Sequence, residues 1–416
     1  MNPPASFVPV SVHTQEIGES QDLLTLLPDS SALAWVRGGD GLVGWGEFDR
    51  IEVAGSDRFE KIRFWWRERS AYFTIHDEVK KFGSGPVLFL SGTFDGDEPS
   101  VAIIPKIVVG QRNGRTWVTW IGDENPPEIS PATNPEAPLN LSWVGGTVSP
   151  AQWEINVGKA LAKIHSGEIS KVVLARDLIA QSDMPFDARH IMKKLAENYS
   201  ATWIFSVANL VGATPELLVR LNKGLVTSRI LAGTIQRTGD DERDLALAAS
   251  LARSSKDLEE HEYAVESVAQ SLAPFCSSTN VPETPFVLHL SNVMHLATDV
   301  TGVLTDSLAP ADLFTVVREL HPSAAVCGTP RPAAQRAIKE IEGMSRGRYA
   351  GPVGWIDSRG EGEIGIALRC AQINPEDSRE IRLFAGCGIV QGSDPTKEYA
   401  ESQAKLLPIR EALESL

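Results

Sequence analysis

TWIFSVANLVGATPELLVRLNKGLVTSRI, residues 202–230, decides the fold. TWIFSV (202–207), ELLVRL (216–221) and GLVTSRI (224–230) are short, apolar and separated by turn-forming residues. The pattern predicts three strands in succession. Nothing between them is long enough for the crossover helix that a parallel sheet needs. Working outward, helices and strands arrive in blocks. Ser149 caps a helix that Pro150 opens and Gly167 ends, with Gln152 placed to complete a capping box. Its apolar stripe is Trp153, Val157, Ala160, Leu161 and Ile164. KVVLA (171–175) reads as a strand, 187–198 as a helix and 241–272 as one long helix. Helices near 311–319 and 331–343 precede strands near 352–357, 363–371 and 379–385, and a closing helix starts near 395. Blocks of this kind predict an α+β fold, antiparallel sheets with helices on their outer faces, over a doubly wound one.

Residues 1–122 read mainly as strands, including 39–48, 85–94 and a hairpin over 107–122 that turns at Asn113-Gly114. The Pro- and acid-rich stretch DENPPEISPATNPEAPLN (123–140) reads as a linker or long loop. The expected division is a β-rich part of the same fold over 1–145 and a second part over 146–416, which bears the segments of the resemblance given below.

The chain has 416 residues, 42% of them hydrophobic and 22% charged, ordinary values for a globular protein. A net charge of -15 argues against a nucleic-acid partner, which would need a basic face. An anionic substrate would need local positive charge from Lys, Arg or a metal. The start MNPPASFVPVSVHTQ has neither a basic region nor an apolar run, so no signal peptide is expected. No apolar stretch is long enough to span a membrane. Cys276, Cys327, Cys370 and Cys387 are scattered without CxxC spacing, which points to free thiols in a reducing cytoplasm. No GxGxxG or P-loop pattern supports a nucleotide site.

Several groups could carry chemistry. In SSKDLEEHEYAVESV (254–268), Asp257 and Glu260 sit at i, i+3 beside an apolar face. In GSDPTKEYAESQAK (392–405), Glu398, Glu401 and Lys405 share one helical stripe. Each set alone reads as a wet acidic edge; together, carboxylates from two helices suit Mg2+. Arg369, near the end of GEIGIALRC, is a surface arginine or a two-pronged grip on a carboxylate. Gly386 and Gly388 in AGCGIV, and Gly233 and Thr234 in LAGT, are plain turns or places where backbone N–H groups approach an anion. Lys171 opens an apolar strand, as an edge lysine or a base. Glu216 is a solvated strand-start carboxylate or, in a dry pocket, a general acid. His295 in VMHLAT is a satisfied core histidine or a donor to substrate.

Taken in order, KVVLAR, GATPELLVR, LAGT, KDLEEHE, VMHLATDVTG, HPSAAVCGTP, GRYAGPVGW, IALRC, AGCGIV and KEYAESQAK resemble the chorismate-utilising enzymes. That family includes isochorismate, salicylate, anthranilate and aminodeoxychorismate synthases. The resemblance covers about residues 145–416; the first 140 residues are similar only loosely, although GDGLVGWGE fits the isochorismate branch. It implies two packed antiparallel sheets with helices outside and the active site in the cleft between them. It further implies that Glu260 and Glu401 ligate Mg2+, with Glu398 and Asp257 holding its waters. Arg369, Tyr349, Lys405, Gly386 and Gly388 would grip the enolpyruvyl carboxylate side of chorismate. Gly233 and Thr234 would line the substrate and His295 would contact it.

The resemblance also bears on the reaction. Water-adding members carry lysine at the position of Lys171, where aminating anthranilate synthases resemble glutamine and draw ammonia from a glutaminase partner. Ala232 stands where the aminodeoxychorismate type carries a lysine. Ala325 stands where lyase branches resemble threonine, whereas Tyr349 is more like the salicylate branch. The implied activity is an isochorismate synthase with Lys171 as base and Glu216 as acid. The alternatives are a salicylate synthase and, behind it, an aminating enzyme or an inactive binding relative. The family suggests a monomer without a glutaminase subunit, and its product feeds menaquinone or siderophore synthesis.

Overall fold

The computed structural model describes residues 9–18, 21–122, 125–290, 292–305 and 311–415. The first eight residues of the stretch read for a targeting signal, and residues 123 and 124 of the expected linker, lie outside the described residues. The rest of that linker carries no helix or strand up to Ser142–Gly145.

The three-strand reading of 202–230 gains a fourth member. Trp203–Val207 pairs with Leu210–Thr214 through a two-residue turn at Ala208 and Asn209, with φ 49° and 66°. Such turns normally use Asn or Gly at both places, so Ala208 hid this one from the sequence. Leu217–Asn222 and Leu225–Gln236 follow as a second antiparallel pair.

Among the described residues the strands join into one hydrogen-bonded network of 21 strands. Every pairing is antiparallel except that between Val10–Gly18 and Phe73–Asp77. The N-terminal strands are woven into it. Leu33–Arg37 pairs with Trp203–Val207, and Val87–Ser91 pairs with Pro352–Asp357. The packed antiparallel layers expected are thus joined to each other through their N-terminal strands.

Alternating side chains give the network two apolar faces. Trp35, Phe205, Leu174 and Phe384 enter one core, packed against helices Pro150–His165, Ser255–Leu272, Leu313–Leu320 and Arg331–Ile341. Ala34, Val36, Ile204 and Leu383 enter the other, under helices Ala188–Asn198 and Pro395–Glu414. Trp153, 1% exposed, anchors the first of these helices. Truncating an aromatic buried this fully to alanine costs about 3–5 kcal/mol.

Three sequence expectations need correction. The capping box forms only half: Ser149 Oγ accepts from Gln152 N at 3.2 Å, but the Gln152 amide donates to Asn156 Oδ1 at 2.9 Å, its neighbour one turn on. The long helix is two, Asp241–Leu251 and Ser255–Leu272, because Ser254 Oγ accepts from Asp257 N at 3.3 Å and starts a new helix. The strand expected over 363–371 ends at Ile366 and resumes at Cys370, interrupted where Arg369 takes φ 47°.

Candidate active site

The site forms where the Lys171–Gln181 and Glu380–Ile389 strands, paired with each other, face the helices bearing the carboxylates. Lys171 is fully buried, and its Nζ lies 3.2 Å from Glu260 Oε1. Apart from this contact the amine has no hydrogen-bond partner among the described residues. Gly388 makes the contact possible. A Cβ there would overlap Glu260 Oε1 and come within 3.2 Å of Lys171 Cε. Gly388→Ala is therefore expected to push Lys171 and Glu260 apart and lower kcat about 100-fold, the usual penalty for misplacing active-site groups by an ångström. Steady-state kinetics at saturating Mg2+, alongside an unchanged thermal midpoint, would check it.

Two caps set the phase of the carboxylate helices. Ser254 brings Asp257 and Glu260 toward the Leu225–Gln236 strand. Gly233 there has φ 74°, and a Cβ would sit 2.9 Å from Asp257 Cβ. Only glycine suits both that conformation and that approach. Asp394 accepts from Thr396 N and Lys397 N at 3.1 and 3.0 Å, starting the last helix so that Glu398, Glu401 and Lys405 meet the Glu380–Ile389 strand. Lys405 Nζ donates to Gly386 O at 3.0 Å and pairs with Glu401 Oε1 at 2.6 Å.

The carboxylates influence one another. Burial raises the Asp257 pKa, and the negative charges of Glu260 and Glu401 add to it. Burial and then the charge of Glu401 raise Glu398. Burial would raise Glu260 too, but Lys171, Lys405 and Lys256 together outweigh it and hold this carboxyl below the ordinary range. Oxygens of Glu398 and Glu401 lie within 4.8 Å of each other and of Cys387 Sγ. The Cys387 thiol donates to Glu398 O at 3.2 Å, and burial lifts its pKa well above the ordinary thiol value, so it stays a thiol. The ligands left are hard carboxylate oxygens, a set that fits Mg2+ better than Zn2+.

Glu216, 4% exposed, lines the same site. Burial raises its pKa to about 8, against the pull of Lys171, Arg369 and Lys405, so it carries a proton at neutral pH. Beside it, His295 Nδ1 lies 3.3 Å from Gly233 O and 3.1 Å from Thr234 Oγ1. Its Nε2 lies 3.4 Å from an Arg369 nitrogen. A carbonyl only accepts and a guanidinium only donates, so the hydrogen sits on Nδ1. Burial, then Arg369 and Lys405, hold the imidazole pKa far below its ordinary value and keep it neutral. Tyr349 stacks on Phe384 with centroids 5.2 Å apart, and burial keeps its hydroxyl protonated.

One pocket is lined by Glu216, Gly233, Thr234, Glu260, His295, Ala325, Tyr349, Arg369, Gly386, Gly388 and Lys405. Lys171 reaches it through Glu260 and Gly388; the charges of Glu260 and Glu401 act on Asp257, and that of Glu401 on Glu398. A larger neighbouring cavity, about 570 Å³, shares Arg346 and Tyr349 with it but contains neither Lys171 nor Glu216 nor the metal-type carboxylates.

Residues 123–414 match a family profile described as chorismate binding enzyme. The chain belongs to that family. Isochorismate synthase MenF of Bacillus subtilis is 37% identical over 265 residues, covering 63% of this chain and 55% of the relative. Isochorismate synthase EntC of Escherichia coli is 30% identical over 326 residues, 77% of this chain and 79% of the relative. The chain thus spans about half the length of the Bacillus relative. The solved structure of MenF, the menaquinone-specific isochorismate synthase from Escherichia coli, shares the fold, with TM-score 0.80 at 23% identity over 99% of this chain and 97% of that one.

Two participants in this chorismate-binding fold escaped the sequence reading. Arg346 lines the pocket and donates to Val173 O and Val326 O at 2.7 and 2.9 Å, while Glu342 beside it accepts from Ala175 N at 2.7 Å. This buried ion pair ties the Lys171 strand to the loop carrying Ala325. Its i, i+4 spacing was the available signal. The other is Lys256, which directly precedes Asp257 and lies i, i+4 from Glu260.

Proposed function

We propose that the protein converts chorismate reversibly into isochorismate. The observation that carries this reading is the acid–base contrast inside one pocket: a buried lysine at the start of one strand, and a carboxyl protonated at neutral pH just before another. Lys171, acting as the neutral amine, takes a proton from a water that attacks the second ring carbon. The ring double bonds shift, and the hydroxyl on the fourth carbon leaves as water with the proton of Glu216. In the reverse direction acid and base exchange roles. Arg369 and Lys405 offer positive charge to the enolpyruvyl carboxylate, Tyr349 closes that side, and Gly386 and Gly388 let backbone come close. Neutral His295, held by Gly233 and Thr234, orients Arg369 and leaves the pocket wall uncharged.

Glu260 and Glu401 would hold Mg2+, with Glu398 and Asp257 around its waters. Bound there, the ion supplies positive charge for the ring carboxylate of the substrate. The chain needs no glutaminase in this scheme and acts as a monomer. Four free cysteines fit a cytoplasmic enzyme, and among the described residues no helix is long and apolar enough to cross a membrane.

Product analysis from chorismate tests the reading. With Mg2+, isochorismate should accumulate without pyruvate, and a chelator should stop turnover until Mg2+ is restored. Pyruvate release would replace the reading with a salicylate synthase. A product that depends on ammonium would overturn the role of water.

A further inference from the structure

Beside the proposed cation site stands a positive charge that the reaction does not use. Lys256 Nζ lies 2.9 Å from Glu398 Oε1. The carboxylate is 2% exposed, whereas the lysine is 37% exposed and approaches from the solvent side. Two other carboxylates of the set are also paired with lysines, Glu260 with Lys171 and Glu401 with Lys405, but there the lysine is the more buried partner. Three of the four carboxylates read as metal-binding therefore already carry an ammonium. Lys171 and Lys405 serve the substrate, but Lys256 does not line the pocket.

We infer that Lys256 is a built-in stand-in for the divalent cation, seated on Glu398 in the metal-free enzyme and displaced when the metal enters. This rests on the reading of Asp257, Glu260, Glu398 and Glu401 as the Mg2+ site. A carboxylate as buried as Glu398 is costly without a counter-charge, and its neighbour Glu401 adds repulsion. An ammonium answers both while the metal is away. It also repels an incoming ion and occupies an oxygen the ion's water shell needs. Its flexible four-carbon stem and open side let it swing into solvent. Lys256 thus keeps the empty site assembled and lowers its affinity for the metal.

Mg2+ titrations of the full chain without substrate, read as the thermal unfolding midpoint, test this on wild type, Lys256→Met and Lys256→Arg. Lys256→Met should melt lower than wild type without metal. Its midpoint should then respond at about tenfold lower Mg2+, the effect of one unit charge on a divalent ion ~6 Å away under water-like screening. Lys256→Arg, which keeps the charge, should follow wild type. If Lys256→Met folds only with Mg2+, the stand-in role is supported in its strongest form; failure to fold with or without Mg2+ would overturn it. An unchanged or weaker Mg2+ response in Lys256→Met would overturn this inference alone. A flat response in all three proteins would remove the cation site itself, and the stand-in with it.

Discussion

Lys171→Gln is expected to lower kcat about 10³-fold while leaving KM for chorismate within a few-fold, the loss typical of a removed general base. Glutamine keeps most of the length of the side chain and can still donate to Glu260 Oε1, now 3.2 Å from the amine, but it cannot take a proton from water. Lys171→Ala is the harsher change. It empties a site that is fully buried and removes the nearest positive charge from Glu260, whose carboxylate is 15% exposed. Breaking a buried pair from one side costs about 3–5 kcal/mol, so the alanine variant should also melt earlier. Comparing the two separates chemistry from architecture: both lose turnover and the charge facing Glu260, and the alanine, which also empties the site and leaves no donor, loses more stability. Steady-state rates of isochorismate formation, substrate binding by calorimetry and thermal melts supply the three readouts. A glutamine variant that retains turnover within tenfold of wild type would take Lys171 out of the reaction.

That contrast also marks what the sequence could disclose. Local patterns exposed most elements, because capping residues and apolar periodicity act within a few residues. Ser149, Pro150 and Gly167 frame the helix Pro150–His165 much as read, and Asn113-Gly114 turns its hairpin. Where a single residue breaks a pattern, reading failed. Ser254 divides a stretch in which Leu251 and Leu258, seven positions apart, keep helical spacing across the break. Ala208 turns a hairpin without the usual turn residue. Arg369 leaves the strand that its alternating neighbours continue. The convergence of distant groups lies beyond any local pattern. Glu260 and Lys171 are separated by 89 positions, and their 3.2 Å contact depends on the missing side chain at Gly388. Only the resemblance of ordered segments to a family suggested that the two share one site, and it did not suggest their contact. It was silent about Lys256 and about the Glu342–Arg346 pair, which act on neighbours rather than on substrate.

Glu216→Gln should abolish turnover as thoroughly as Lys171→Gln and yet make the folded protein relatively more stable as pH rises. The sign follows from where the proton sits. Glu216 has a pKa of about 8 in the folded chain, mainly through burial, and about 4.5 when unfolded. Below the lower value both states hold the proton and pH has no effect through this group. Between the two values only the folded state holds it, so wild type loses about 1.4 kcal/mol of stability per pH unit. Above pH 8 both states are ionised and the loss stops. Glutamine never ionises and escapes the slope. The difference in unfolding free energy, wild type minus variant, should therefore fall by up to about 4 kcal/mol between pH 5 and pH 9. Urea unfolding at several pH values measures it, and most other titrations cancel in the difference. A flat difference would mean that Glu216 is solvated and ionised at neutral pH. It could not then donate a proton to the departing hydroxyl, and the acid of the reaction would have to be sought elsewhere in the pocket.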